Sequence, residues 1–310
     1  MESKYARIFK VRNELLEKTR NFFKERGFTE VETPILVPYA SPDDNIESVE
    51  VLLKVRGKRL KGFLHTSPEF FMKRLIALGM SKIFQICKVF RNDEVSRRHN
   101  IEFTMVEWYS TEGNYKDGIE ETLSLLRFLL GESVVYNGKE INLSSCFVIT
   151  VKEAFLEFAK VDPFDKHALT QKSKVNDYEE SFFRILIEKV EPELEKFKVP
   201  VVLKDFPEEF SAMAEVRNGI AERFEVYVGG LELANGYTEL RDPKEYLRRF
   251  LKKGKASVDE GFLKVIRENP LPKCYGVALG FDRVLMLATS STDIKNVVPF
   301  TVSELFSSSP

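Results

Sequence analysis

Cysteine is scarce, with Cys87, Cys146 and Cys274 standing far apart in a chain of 310 residues. An odd, scattered set supports neither a disulfide framework nor a thiolate zinc site, so a cytoplasmic location is expected. Net charge is also nearly absent, since 47 basic and 48 acidic residues leave −1. No global field draws the chain to nucleic acid, and such a partner would need a local patch, for which Arg97, Arg98 and His99, or Lys58, Arg59 and Lys61, are small candidates. No run approaches the roughly 18 apolar residues of a membrane span, and the first ten residues lack the apolar core of an export signal, so no membrane partner is expected. Repeats, low-complexity tracts and flexible linkers are missing too. One domain over residues 1–310 is therefore expected, with a surface insertion near 150–200 and a loose serine-rich tail over 303–310.

Phenylalanine, by contrast, is plentiful: 26 residues are spread through periodic segments, as core-building aromatics are. Ile8, Val11, Leu15, Thr19 and Phe22 recur at helical spacing, Gly27 falls where that helix should stop, and residues 28–34 read as a strand ended by Pro34. Val49, Val51, Leu53 and Val55 alternate, and residues 60–65 return beside them after a turn at Arg56, Gly57 and Lys58. Thr66, Ser67, Pro68 and Glu69 then open a helix, with Pro68 and Glu69 in its first turn. An amphipathic helix over 116–130 is closed by Gly131, and a helix over 181–197 and a buried strand over 199–203 follow.

Chemistry concentrates in three stretches. In the first, residues 82–90 alternate as a strand buried on both faces, and a polar loop leads to a second strand on which Ile101, Phe103, Met105, Glu107 and Tyr109 share a face. A carboxylate in that row requires a cationic or hydrogen-bonding partner. Arg91 is a planar cation suited to phosphate or carboxylate, although a structural Arg–Glu pair in a long hairpin satisfies the same residues. In the second stretch, Gly229 and Gly230 separate two alternating runs. Asn235, Tyr237 and Glu239 share a face there, whereas Glu232 has the opposite parity and needs a bulge to join them, for which Gly236 is the candidate. Glu225, Glu232 and Glu239 could equally form a solvated edge. The third stretch, residues 276–288, is a Gly-bounded strand turning into an apolar helix.

Phe90-Arg91-Asn92-Asp93 followed by residues 98–109, RHNIEFTMVEWY, resembles motif 2 of the class II aminoacyl-tRNA synthetases in the lysine-type branch. Residues 28–34 resemble motif 1, which builds the dimer interface, and Gly276 through Arg283 resembles motif 3, with Ala278 in place of its first paired glycine. The resemblance implies an α+β fold, an antiparallel sheet flanked by helices, that activates an amino acid with ATP and Mg2+ as a homodimer. It implies that Arg91 is the catalytic phosphate clamp, and that Asp93, His99, Asn100, Phe103 and Arg283 bind ATP, with adenine stacked between Phe103 and Arg283. Asp93 stands where the family has Glu, and Ile101 replaces a proline. Glu225 and Glu232 match the magnesium-holding carboxylates and Glu239 the partner of the substrate ε-ammonium, with Tyr237 covering the aliphatic chain. Ser67, Glu69, Glu107, Tyr109, Asn235 and Ala278 complete the implied pocket for the amino acid, Glu69 meeting its amino group.

Motif 1 begins near residue 28, which leaves no room ahead of it for the anticodon-binding domain of lysyl-tRNA synthetases. Within the family this truncation resembles the elongation factor P lysine ligases, which pass activated β-lysine to a protein lysine. Ser67, Trp108 and Ala278 side with that group. The acceptor implied is elongation factor P and the substrate lysine or β-lysine. A truncated enzyme charging tRNA or another small acceptor, and a catalytically silent regulatory paralogue, stand as alternatives.

Overall fold

The computed structural model describes residues 4–43 and 46–306. Contacts divide the chain into two compact units: Met1–Glu112 with Leu240–Cys274 and Ala278–Pro310, and Gly113–Glu239 with Tyr275–Val277.

The first unit starts with the helix Lys4–Glu25, whose Ile8, Leu15, Phe22 and Phe23 are buried. Gly27 ends it in the left-handed region (φ 79°), where a side chain would be strained. Phe23 stacks on Phe84 at 4.8 Å and packs on Trp108 at 5.1 Å, docking the helix on the strands Lys82–Phe90 and Glu102–Ser110. These two pair antiparallel along their whole length, from Lys82 opposite Ser110 to Phe90 opposite Glu102. Ile101 lies outside the second strand, and burial of the first on both faces is partial: Ile83, Phe84, Gln85 and Val89 are buried, whereas Ile86, Cys87, Lys88 and Phe90 are half-buried.

The strand expected over 28–34 shrinks to Thr29–Glu30, parallel to Ile83 and Phe84. Beyond it, Thr33 spends its hydroxyl on Gln85 and Pro34 has no N–H for a ladder. The hairpin Glu50–Val55 and Lys58–Leu64 closes through Arg56 and Gly57 alone, both at positive φ, so Lys58 belongs to the strand. The helix Glu69–Ala77 begins one residue later than the sequence indicates, because Pro68 takes the cap position and Ser67 Oγ accepts the N–H of Glu69. Phe70 of that helix meets Phe250 and Phe262 at 5.2 Å each, which fastens the helices Pro243–Lys253 and Glu260–Glu268 to it. The start of the tail expected to be loose forms the short helix Val302–Phe306, and its remainder, 307–310, lies outside the described residues.

In the second unit, Val201–Pro207, Ile220–Val228 and Leu231–Thr238 pair antiparallel in that order, and Phe147–Thr150 joins parallel to the first. Asp205 at φ 63° makes the irregularity that lets Phe206 and Pro207 re-pair, extending the strand past residue 203. The helix Tyr115–Leu130 is capped by a reciprocal Asn114–Asp117 pair, and its Gly118 admits Tyr275 and Val277 closely, at 3.0 and 3.2 Å from where a Cβ would stand. The 150–200 stretch expected as a surface insertion supplies much of this unit's core: Phe155, Leu169, Phe182, Ile185, Leu186 and Val190 are buried with Val201, Leu203 and Tyr227. The helix read over 181–197 runs from Tyr178 to Leu194 with a π-helical turn at Leu186–Val190. No helix among the described residues is long and apolar enough to cross a membrane.

Candidate active site

In the first unit, the strand Glu102–Ser110 places Glu107 and Tyr109 on one face, and Tyr109 donates to Glu107 at 2.7 Å. Ser67, at the mouth of the helix Glu69–Ala77, donates to the other Glu107 oxygen at 2.7 Å. One turn into that helix, Lys73 reaches back to Glu69 at 2.5 Å and also donates to Tyr246. Lys73 has no exposed side-chain surface, so its charge is held by this partnership. Burial, and then the Glu69 charge, push the Glu107 carboxyl up to about 7, against the Tyr109 and Ser67 hydrogen bonds and Lys73. Two carboxylates, one lysine and three hydroxyl groups thus form one buried, hydrogen-bonded acidic cluster.

A pH dependence follows. Below the usual carboxylate value of 4.5, Glu107 is protonated both folded and unfolded; between there and about 7 the unfolded chain has released a proton that the folded chain keeps. Its contribution to stability is therefore full in acid and lost as pH rises through that window. Glu107→Gln should flatten this part of the profile, so that urea midpoints of variant and parent diverge more at pH 8 than at pH 5. A constant difference would remove Glu107 as the titrating group.

Arg91, Phe103, His99 and Arg283 form a second group in the same unit. The Arg91 guanidinium lies 5.3 Å from the centre of the Phe103 ring, and its buried Nε has no hydrogen-bond partner among the described residues. A buried donor left without an acceptor costs about 1–3 kcal/mol, and a phosphate oxygen would relieve that cost. Arg283 meets His99 at 2.6 Å. Burial, followed by Arg283, Arg91 and Arg98, pushes His99 down to about 4, so the imidazole is neutral at pH 7 amid a cluster of guanidinium groups. Asn100 is buried and turned to the backbone, accepting from Val302 and donating to Glu102. Asp93 is exposed at φ 61°. That conformation is tolerated by Asp and Asn better than by Glu, which accounts physically for the shorter acid at this position. Asp93→Glu should cost about 0.5–1 kcal/mol by urea denaturation and Asp93→Asn almost nothing; equal costs would place the effect elsewhere.

In the second unit the parity problem is resolved by a bulge at Leu233, not at Gly236. Val226 pairs with Ala234 but Tyr227 with Glu232, so Leu233 is the extra residue. Arg223, Glu225, Tyr227, Glu232, Asn235 and Tyr237 consequently share one face. Gly236 has another use: a Cβ there would lie 2.8 Å from the Gly276 carbonyl and from the Phe224 ring. Arg223, unassigned by sequence, donates to Glu225 at 2.6 Å and to Asn235, while Tyr227 donates to the other Glu225 oxygen at 2.7 Å. Burial pushes Glu225 up to about 7, with Arg223 opposing and the Glu232 charge adding to the rise. Tyr237 is half-buried, and Glu239, fully buried, is bridged through its backbone to Ala214. No group of three or more His, Cys, Asp or Glu side chains among the described residues is arranged to hold a metal ion by itself. Two mutually repelling carboxylates fit magnesium in its usual setting, where one or two carboxylates share the ion with substrate phosphates and water.

The first unit thus brings together Ser67, Glu69, Glu107 and Tyr109, and separately Arg91, His99, Phe103 and Arg283. The second brings together Glu225, Glu232, Asn235 and Tyr237. Ala278 is half-buried at the end of the strand Tyr275–Gly280, just before the helix carrying Arg283. Lys73 was legible as an i, i+4 partner of Glu69, and Arg223 as a same-face neighbour of Glu225, but nothing in either pattern demanded a site.

Residues 1–304 match the family model of class II tRNA synthetases of the D, K and N type. The chain belongs to the class II tRNA synthetases. It has the α+β fold of that family, whose members use ATP and magnesium. It is 42% identical over 303 residues to an elongation factor P--(R)-beta-lysine ligase homolog of Aquifex aeolicus, covering 94% of this chain and 96% of that one. Elongation factor P--(R)-beta-lysine ligases of Haemophilus influenzae and Avibacterium paragallinarum are 36% and 35% identical, each covering 94% of both chains. This class II synthetase is accordingly an ATP-dependent amino-acid ligase by family.

Proposed function

We propose that the chain activates lysine or β-lysine as an aminoacyl adenylate and transfers it to a lysine side chain of elongation factor P. The observation that carries this reading is near-full-length similarity to ligases named for that factor and for (R)-β-lysine. The orphaned Arg91 donor and the acidic cluster around Glu107 supply the chemistry it needs. The substrate carboxylate attacks the α-phosphorus in line, a P–O bond forms, and pyrophosphate leaves. Arg91 takes charge from the phosphoryl oxygens as it develops, and Phe103 and Arg283 hold adenine. Glu225 and Glu232 would hold magnesium, which supplies charge neutralisation on the phosphates when bound. Glu69 and Glu107 receive the amino group and Glu239 the ε-ammonium. In the second step the acceptor ε-amine, having lost its proton, forms an amide with the adenylate carbonyl and AMP departs. No protein nucleophile is required. The methyl of Ala278, where α-lysine enzymes have glycine, favours β-lysine by the modest margin a single methyl gives, about 1–3 kcal/mol. Arg97 and Arg98 are the acceptor-facing residues of this reading, in a cytoplasmic homodimer.

Mass spectrometry after incubation with ATP, β-lysine and the cognate elongation factor P is expected to show one added lysyl unit on one lysine. An unmodified factor together with charged total tRNA would replace this reading with the tRNA-acylating one.

A further inference from the structure

Asp282 is 2% exposed and makes two strong contacts that the chemistry proposed above does not use. Its Oδ2 accepts the backbone N–H of Thr104 at 2.7 Å, and its Oδ1 accepts Nη1 of Arg12 at 2.6 Å. Arg12, on the opening helix, also donates through Nη2 to Thr104 Oγ1 and lies 5.2 Å from the centre of the Phe281 ring. Three elements distant in sequence are thereby tied at one buried ion pair. Thr104 directly follows Phe103, and Asp282 directly precedes Arg283. One carboxylate therefore sets the separation between the backbone that carries the aromatic ring and the backbone that carries the guanidinium.

We propose that Arg12 and Asp282 are positioning residues for the adenine ring: together they hold Phe103 and Arg283 at the spacing a stacked base requires. The inference rests on the reading that those two side chains bracket adenine. Stacking is sensitive to spacing, and dispersion contacts lose a quarter to a half of their strength over a gap of about 0.5–1 Å. Replacing Asp282 by Asn keeps the shape but leaves one oxygen to serve two donors, so either Thr104 or Arg12 is released. Thr104→Val is a milder perturbation, removing only the hydroxyl acceptor of Arg12 and leaving the backbone N–H in place.

The test separates the base from the phosphates. Dissociation constants for ATP, adenosine and inorganic pyrophosphate are measured by titration calorimetry on the full chain, for the parent, Asp282→Asn, Thr104→Val, Arg12→Met and Arg12→Lys. Asp282→Asn is expected to weaken ATP and adenosine about tenfold and leave pyrophosphate within twofold. Thr104→Val should show the same pattern at smaller size, and Arg12→Lys should recover part of what Arg12→Met loses, since an ammonium can still reach Asp282. Equal weakening of adenosine and pyrophosphate would reduce the pair to a general fold support and overturn the proposal. Unchanged adenosine binding in folded Asp282→Asn and Thr104→Val would overturn it as well. Failure of the parent chain to bind adenosine or ATP would instead overturn the adenine reading, and this proposal with it.

Discussion

Arg91→Ala is expected to abolish lysine-dependent pyrophosphate exchange, lowering the rate by on the order of a hundredfold to a thousandfold. The half-buried guanidinium stands beside Phe103 with its Nε buried and unsatisfied among the described residues, so this nitrogen is already desolvated before any ligand arrives. Such a preorganised charge gives most in a transition state where negative charge spreads over phosphoryl oxygens, and a neighbouring cation moved into its place would give up contacts of its own. Arg283, for example, is engaged with His99. Exchange is measured without tRNA or protein acceptor, which isolates the activation step. Activity in Arg91→Ala close to that of the parent would end its assignment as the clamp. Loss of helical content in the variant, read by circular dichroism, would identify a folding defect instead.

Glu239→Gln is expected to weaken lysine binding by about 2–5 kcal/mol while leaving ATP within about threefold, the range typical for removing one partner of a buried charge pair. Glu239 is fully buried just past the end of the strand Leu231–Thr238. A carboxylate so placed is cut off from bulk water, and in the proposed reading it is the counter-charge of the incoming ε-ammonium. Glutamine keeps the volume and removes the charge. Titration calorimetry with lysine, β-lysine and norleucine checks the cause: norleucine lacks the ε-ammonium and should bind parent and variant alike. A parallel loss for lysine and ATP would show that Glu239 supports the fold.

The residue types and their order were legible in the sequence because local periodicity and turn chemistry decide them. Period-two alternation marked the strands carrying Phe103, Glu107, Glu225 and Asn235, Gly229 and Gly230 marked the hairpin between two of them, and motif resemblance supplied the roles. Tertiary structure decided which of these side chains could act together. Glu232 joins the face of Glu225 and Asn235 only because Leu233 bulges. A one-residue slip reverses every later side chain, and nothing in LELANG, residues 231–236, distinguishes a bulge at Leu233 from one at Gly236. Arg12 and Asp282 are 270 positions apart, and their ion pair exists because the opening helix and the helix Phe281–Ala288 pack in one unit. The 150–200 stretch reads as an insertion because it lacks motifs, yet its scattered phenylalanines and leucines build a core. Sequence thus determined which functional groups this chain owns, through interactions a few residues long. Their protonation and contacts were left to packing, because burial and long-range hydrogen bonds arise only once distant segments exclude water from one another.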